Sequence, residues 1–310
     1  MRRYIPIFIS ILLVSILFSF IYNIKNSKPK EIKKEFNIGN FEKKDSGARY
    51  PKFLYKLKVK QPIAIDLSQQ RFKGIAFLFG SGLRGAIYKK TWGKFDYFGN
   101  FALDKNGNTY LTPMPFISIK STTFNLQKNI YKLDSKSGKL SIWKSIDEVT
   151  PSSTNPFGII SIEYDIDDNS LWISAIDKSD YKIQRGRIYH IDIKTKEILQ
   201  KIEGYDLLSL KIIKTDRGKF LLGGSARENI VYAFEINKTK VSKTPKKLFS
   251  LYDINERARK ISIFKSNHLL IKTIPFSYNL IAQTQQGSIR KSYDFYFDIK
   301  LKKWNFKTIK

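Results

Sequence analysis

The chain has 310 residues, no cysteine, and 56 Lys and Arg against 27 Asp and Glu, which gives a formal net charge of +29. The absence of cysteine excludes disulfides, thiolate metal ligands and a cysteine nucleophile. Only 12 of the basic residues are Arg, the residue that phosphate and base recognition favours. The positive charge therefore fits a compositional excess of Lys better than nucleic-acid binding. An anionic partner is the alternative explanation of the charge.

The first element is an uncharged stretch of 19 residues, 4–22, which is long enough for a helix to cross a bilayer. We predict an uncleaved signal anchor there, in a single-pass protein of the inner (cytoplasmic) membrane with an extracytoplasmic body. Arg2 and Arg3 favour this orientation, whereas the Lys-rich flank after the span opposes it. A cleaved signal peptide with a secreted or periplasmic body is the alternative, but small residues do not occupy both cleavage positions at Ser19 or Ser27. Residues 23–50 form a predicted polar tether.

Residues 51–310 alternate short aromatic strands with polar turns and show no convincing 3.6-residue helical period. A unit of about 43 residues recurs with insertions, and a repeat of this length made of short strands is typical of propeller blades. The sequence therefore predicts an all-β domain, a β-propeller of five or six four-stranded blades, with six slightly favoured. Residues 53–60 would supply an outer closing strand and residues 256–260 one helical turn. The aromatic markers are Tyr55, Tyr88, Tyr131, Tyr189, Tyr232 and Phe295.

The clearest unit reads FALDKNGNTYLT at 101–112, followed by NIYKLDSKSGKLSIW at 129–143. On this blade pattern, residues 51–310 resemble the β-propeller superfamily, in the group that holds the SMP-30/gluconolactonase, NHL and YVTN-like propellers. For gluconolactonase-like members the resemblance implies a divalent metal, such as Ca, held in the central channel by carboxylate and amide ligands. No matching set of ligand positions can be assigned in this chain, so the sequence predicts no metal residue and no cofactor.

Three local patterns imitate functional motifs. Residues 80–85 match G-x-G-x-x-G, but the aromatic, glycine-broken segment 86–93 is unsuited to the helix that a dinucleotide site requires. The turns at 104–108 and 165–169 have Asp and Asn at calcium-loop spacing, yet lack the Gly and Glu that complete such a loop. His190 and His268 are too few for a multi-His metal site, so we expect structural roles for both.

In a four-stranded blade, the connection after the second strand falls on the same face of the ring each time, and binding residues concentrate on such loops. A solvated rim is the alternative interpretation. We expect a membrane-anchored binding module for an unknown small molecule or envelope protein, or alternatively a metal-dependent hydrolase or lactonase. Convergent carboxylate and amide oxygens in the channel would favour the enzyme. The candidate binding residues are Arg84, Asp177, Asp180, Arg185, Arg227, Glu228 and Tyr278.

Overall fold

Polar turns separate short strands along the body and build five consecutive antiparallel sheets. The computed structural model describes residues 35–43, 47–67, 72–118, 121–122, 124–238, 240–279 and 290–309. Within these residues, no helix is long and apolar enough to cross a membrane. The helix predicted at 4–22 lies outside the described residues.

Each sheet is a meander in which strands that are neighbours in sequence pair with one another. Sheet 1 contains β1 (Ile63–Asp66), β2 (Ala76–Phe79) and β3 (Gly85–Tyr88). Sheet 2 contains β4 (Tyr97–Leu103) and β5 (Thr109–Met114), then, after a separate hairpin of β6 (Ile117–Ser118) and β7 (Ser121–Thr122), β8 (Asn129–Leu133) and β9 (Leu140–Ser145). Sheet 3 contains β10 (Ile159–Asp165), β11 (Ser170–Ala175), β12 (Arg187–Asp192) and β13 (Ile198–Glu203).

Sheets 4 and 5 complete the series. Sheet 4 contains β14 (Leu207–Thr215), β15 (Gly218–Ser225) and β16 (Ile230–Asn237), with β17 (Lys240–Val241) and β18 (Lys246–Ser250) both pairing with β16. Sheet 5 contains β19 (Glu256–Lys265), β20 (His268–Pro275), β21 (Lys291–Asp298) and β22 (Lys303–Ile309). Helical structure in the described residues is limited to α1 (Lys52–Lys56) and 3₁₀ turns at Ser81–Leu83, Lys90–Phe95 and Phe124–Leu126. The fold is a five-bladed, all-β propeller, as predicted, whose first blade has three strands.

The structure has five blades, so the slight preference for six was wrong, and Tyr55 is the one aromatic marker that does not lie on a blade strand. The other markers lie on the third strand of each sheet, at Tyr88, Tyr131, Tyr189, Tyr232 and Phe295. Tyr55 instead lies on α1, because Phe53 and Leu54 are buried against sheets 1 and 2 and Pro51 precedes the helix with a compatible φ of −56°. The strand predicted at 53–60 is therefore largely a helix, and the helical turn predicted at 256–260 is the start of β19.

Successive sheets pack face to face through separate apolar cores. One core joins sheets 1 and 2, and the next two join sheets 2 and 3 and sheets 3 and 4. The core between sheets 4 and 5 includes Phe249 stacked on Phe295, with ring centroids 4.2 Å apart. Alternate side chains of both facing sheets pack into each core, which matches the period-two pattern of the sequence.

The core between sheets 4 and 5 also contains residues from the predicted tether. Ile38 and Phe41 are buried in it. Glu35 Oε2 accepts a hydrogen bond from the Trp304 backbone N (2.6 Å), and Trp304 Nε1 donates to the Phe36 carbonyl (2.9 Å). Within the tether predicted at 23–50, residues 35–41 thus pack on sheets 4 and 5 because their few apolar side chains fill the space between these sheets.

The first strands of sheets 2 to 5 share an irregularity. In β4, β10, β14 and β19 the pairing with the second strand skips a residue, a β-bulge, at Gly99, Ile160, Leu208 and Arg259 respectively; β19 has a second such shift at Phe264. The four strands contact in the order β4, β10, β14, β19, and Arg259 Nη2 donates to the Gly99 carbonyl at 3.0 Å. Sheet 5 therefore reaches back to sheet 2, and the bulged positions converge on the central channel.

Candidate functional site

The connections that follow the second strands of sheets 3, 4 and 5 contact one another on one face of the propeller. Arg227 Nη1 donates to the Asp180 carbonyl (2.6 Å) and Arg227 Nη2 to the Tyr181 carbonyl (2.9 Å). The hydroxyls of Tyr181 and Ser277 are in hydrogen-bond contact. We call this surface the connection face; it comprises residues 176–186, 226–229 and 276–279, with residues 251–255 leading into sheet 5.

A buried carboxylate lies beneath the connection face. Asp206, in the connection from sheet 3 to sheet 4, accepts hydrogen bonds from Ser179 Oγ and from the Tyr278 hydroxyl, each at 2.5 Å. Burial raises the pKa of Asp206 above its usual value, although these hydrogen bonds favour the charged form. Burial, and then the neighbouring Asp206 carboxylate, raise the pKa of Tyr278. Both oxygens of Asp206 have partners, so its role is to hold three connections together.

A cluster of buried apolar side chains lies beneath this face. The bulged residues Ile160 and Leu208 both belong to this cluster, and Tyr278 is the member that links it to Asp206. This packing supports the connection face from below. The remaining members are Phe157, Ile176, Ala226, Met114 and Phe276.

The predicted site residues separate into two groups. Asp180, Arg227 and Tyr278 come together through the contacts above. Asp177 is buried in an ion pair with Arg187, and its Oδ2 accepts a hydrogen bond from the Thr150 backbone N (2.9 Å), so it is a structural residue.

The other three predicted residues contribute less to a common site. Glu228 is exposed and accepts a hydrogen bond from the Tyr232 hydroxyl (2.6 Å). Arg185 is exposed, and its backbone N donates to Ser179 Oγ (2.9 Å). Arg84 is exposed between β2 and β3 and, within the described part of the chain, makes no hydrogen bond or ion pair with the other six.

Sequence reasoning missed Asp206, Arg187 and Arg257. Arg257 Nε donates to the Ala226 carbonyl (3.0 Å) and Nη1 to the Ile254 carbonyl (2.6 Å), which joins the connections of sheets 4 and 5. The connections that lead from one sheet to the next lie on the same face as those after the second strands. Searching both sets of connections would have found Asp206.

The metal site of gluconolactonase-like propellers does not fit these residues. No group of three or more His, Asp or Glu within the described ranges is placed to hold a metal ion. Ile160, Leu208 and Arg259 occupy the bulged positions at the channel, and an apolar or cationic lining does not ligate a divalent cation. Glu163, on β10, is held by Lys211 Nζ at 2.5 Å.

The turns and histidines have structural partners. Asp104 accepts hydrogen bonds from the backbone N of Asn106 and of Asn108, both at 2.8 Å, which is tight-turn chemistry. His190 is buried and stacked on Trp172 with ring centroids 3.9 Å apart. Its Nε2 contacts both Ser170 Oγ (2.6 Å) and Asp168 (3.1 Å). A Ser-His-Asp relay requires opposite ring nitrogens, so this arrangement is not a catalytic triad.

No protein-family model and no curated protein sequence matches the chain. Among solved structures, it is similar to a protein of unknown function from Bacteroides caccae, with 10% identity over 80% of this chain and 73% of that chain and a TM-score of 0.47. It is also similar to a glucose dehydrogenase, with 14% identity over 68% and 72% and a TM-score of 0.42. A third is Kluyveromyces lactis Hsv2, with 12% identity over 80% and 72% and a TM-score of 0.36. These likenesses say nothing about what this chain binds or does.

Proposed function

We propose that the chain is a binding module that presents its connection face to a protein partner. The observation that carries the proposal is the exposure of large apolar side chains along an arc that arginines hold in place. Tyr181 is 65% exposed, Ile183 43% and Ile254 73%. Arg227 and Arg257 connect these positions through the backbone carbonyls that they bind. Aromatic residues and arginine are enriched where protein interfaces concentrate their binding energy.

The arrangement is also suited to binding because the loops are already ordered. Arg227 fastens the sheet 3 connection to that of sheet 4, and Arg257 fastens the sheet 4 connection to sheet 5. A surface that is fixed before association loses less conformational freedom when a partner docks. No observation among the described residues favours the hydrolase, which leaves the interaction module as the better-supported function.

The proposal includes the cellular setting. The uncharged stretch 4–22 after Arg2 and Arg3 supports a membrane anchor with the propeller on the outer side of the inner membrane, where an envelope protein would be the partner. Alkali-resistant membrane association and protease accessibility in spheroplasts are the expected results. Recovery of a soluble chain that lacks the first 22 residues would instead indicate a cleaved signal.

Site-specific photo-crosslinking in cells tests the binding face. A photoreactive amino acid is placed at Tyr181 and, as a control, at Leu199, which is 49% exposed on outer strand β13. We expect a discrete adduct from position 181 alone, lost when Ile254→Ser is added but retained when Ile142→Ser is added on outer strand β9. Equal adducts at both positions, or insensitivity to Ile254→Ser, would contradict the assignment.

A further inference from the structure

The bulged position of sheet 5 differs in chemistry from the equivalent positions of the other sheets. Gly99, Ile160 and Leu208 are small or apolar, whereas sheet 5 places Arg259 there. The guanidinium lies against the glycine: Nη2 is 3.0 Å from the Gly99 carbonyl oxygen and 3.6 Å from the point that a Cβ on Gly99 would occupy. A Cβ at that distance would only touch the guanidinium, so the position of the Arg259 head group is fixed by its hydrogen bond to the Gly99 carbonyl.

Further cations surround Arg259. Lys260 is the next residue, and it lies directly opposite Lys272 in the pairing of β19 with β20. Like charges directly opposite each other on neighbouring strands destabilise a sheet. Burial, followed by Lys272, Arg259 and Lys211, lowers the pKa of Lys260, and burial with the nearby Arg290 lowers the pKa of Arg259 to about 10. The two lysines and two arginines of sheet 5 therefore share one electrostatic environment.

Acidic residues do not neutralise this cluster. Glu163 is a carboxylate that acts on Lys260, and it is already bound to Lys211 Nζ at 2.5 Å. Within the described residues, Arg259, Lys260, Lys272 and Arg290 form no ion pair. The sequence of residues 280–289, which connects β20 to the residues before β21, contains no Asp or Glu. A group of neighbouring positive charges that form no ion pair attracts an anion.

We propose that Arg259, Lys260 and Lys272 form a binding site for a phosphate-type oxyanion at the channel side of sheet 5. Arg259 has further N–H donors besides the one held by Gly99, and a planar guanidinium with two ammonium groups matches the geometry and charge of a phosphate. Lys260 and Lys272 are exposed, so the anion reaches the site from solvent past the lysines. The site is independent of the protein partner proposed above.

Thermal unfolding of the full chain in detergent, with inorganic phosphate added at constant ionic strength, tests the site. We expect a saturable rise in Tm with phosphate, a weaker rise with sulfate and none with chloride. Glycerol phosphate in place of phosphate separates the sources of the anion: an equal rise indicates that the site accepts phosphate esters, and a smaller one indicates free phosphate. Arg259→Gln should weaken the apparent affinity by about tenfold to a hundredfold, as expected for a lost charge-assisted hydrogen bond.

Two further variants keep the test decisive if Arg259→Gln does not fold. Lys272→Gln removes one half of the like-charge pair, so it should unfold at a higher temperature than the unaltered chain without phosphate and at a lower temperature at saturating phosphate. Lys139→Gln, in an exposed turn of sheet 2, should respond to phosphate like the unaltered chain. The proposal is overturned if Tm does not respond to phosphate, or if the unaltered chain, Lys272→Gln and Lys139→Gln all respond equally.

Discussion

Replacing Asp177 with Ala distinguishes a structural carboxylate from a binding one. Asp177 and Arg187 are both buried. In Asp177→Ala, Arg187 keeps the Glu148 carbonyl at 3.0 Å and a carboxylate oxygen of Glu148 at 3.8 Å. Removing one partner of a buried ion pair costs about 3–5 kcal/mol when the other charge is left uncompensated, and the remaining contact of Arg187 with Glu148 places the expected loss toward the lower end of this range. For a domain of this size, that corresponds to a fall in Tm of about 6–20 °C.

Urea denaturation followed by tryptophan fluorescence measures the effect, and the midpoint should fall while the slope m stays unchanged. Asp180→Ala is the matched control, because this exposed carboxylate only accepts hydrogen bonds from the backbone N of Lys182 and Ile183; it should unfold close to the unaltered protein. Joint replacement by Asp177→Leu and Arg187→Met should recover much of the loss, since the charge is removed with its partner. The reasoning is refuted if Asp177→Ala unfolds like Asp180→Ala.

Three further predictions concern other parts of the molecule. Ile38→Ala should lower the free energy of unfolding by about 2–5 kcal/mol, because Ile38 is fully buried between sheets 4 and 5; an unchanged urea midpoint would show that this segment is not part of the domain. Gly224→Ala should cost about 1–3 kcal/mol by thermal unfolding, since its Cβ would lie 2.4 Å from the Ala258 carbonyl oxygen of the next sheet; a stabilised variant would contradict this packing. In the folded protein the pKa of Asp206 is raised from 3.8, so protonation favours folding, and this contribution is present below pH 3.8 and lost as the pH rises through the folded pKa. The Tm of the unaltered protein relative to Asp206→Asn should therefore be highest at low pH and decline above pH 3.8; a difference that grows with pH would reverse the assignment.

The blade pattern could be predicted because it is local. Tyr131, Tyr189 and Tyr232 each lie on a third strand, where one residue in two must enter an inter-sheet core. Tyr55 has a similar local sequence, but the burial of Leu54 against sheets 1 and 2 selects a helix there. That choice depends on residues far away in sequence, so the local pattern alone does not separate Tyr55 from the blade markers.

The candidate site was predictable only in outline. The face could be inferred from the strand order, and it does bring Arg227, Asp180 and Tyr278 together. The partner of each charged residue could not be inferred. Asp177 pairs with Arg187 across a loop, and Arg259 reaches the channel because a bulge, which is a property of pairing between two strands, shifts the register at that residue.

The recurrent bulge places some residues at the central channel without also placing them in a core between two sheets. A side chain at a regular position of β10 or β14 packs into a core between sheets, so changing it changes stability. The bulged residues Gly99 and Arg259 are outside those cores. Mutations at these two positions can therefore alter the charge and size of the channel while the four apolar cores between the sheets keep their side chains. The inter-sheet contact that a change of Arg259 removes is its hydrogen bond to the Gly99 carbonyl.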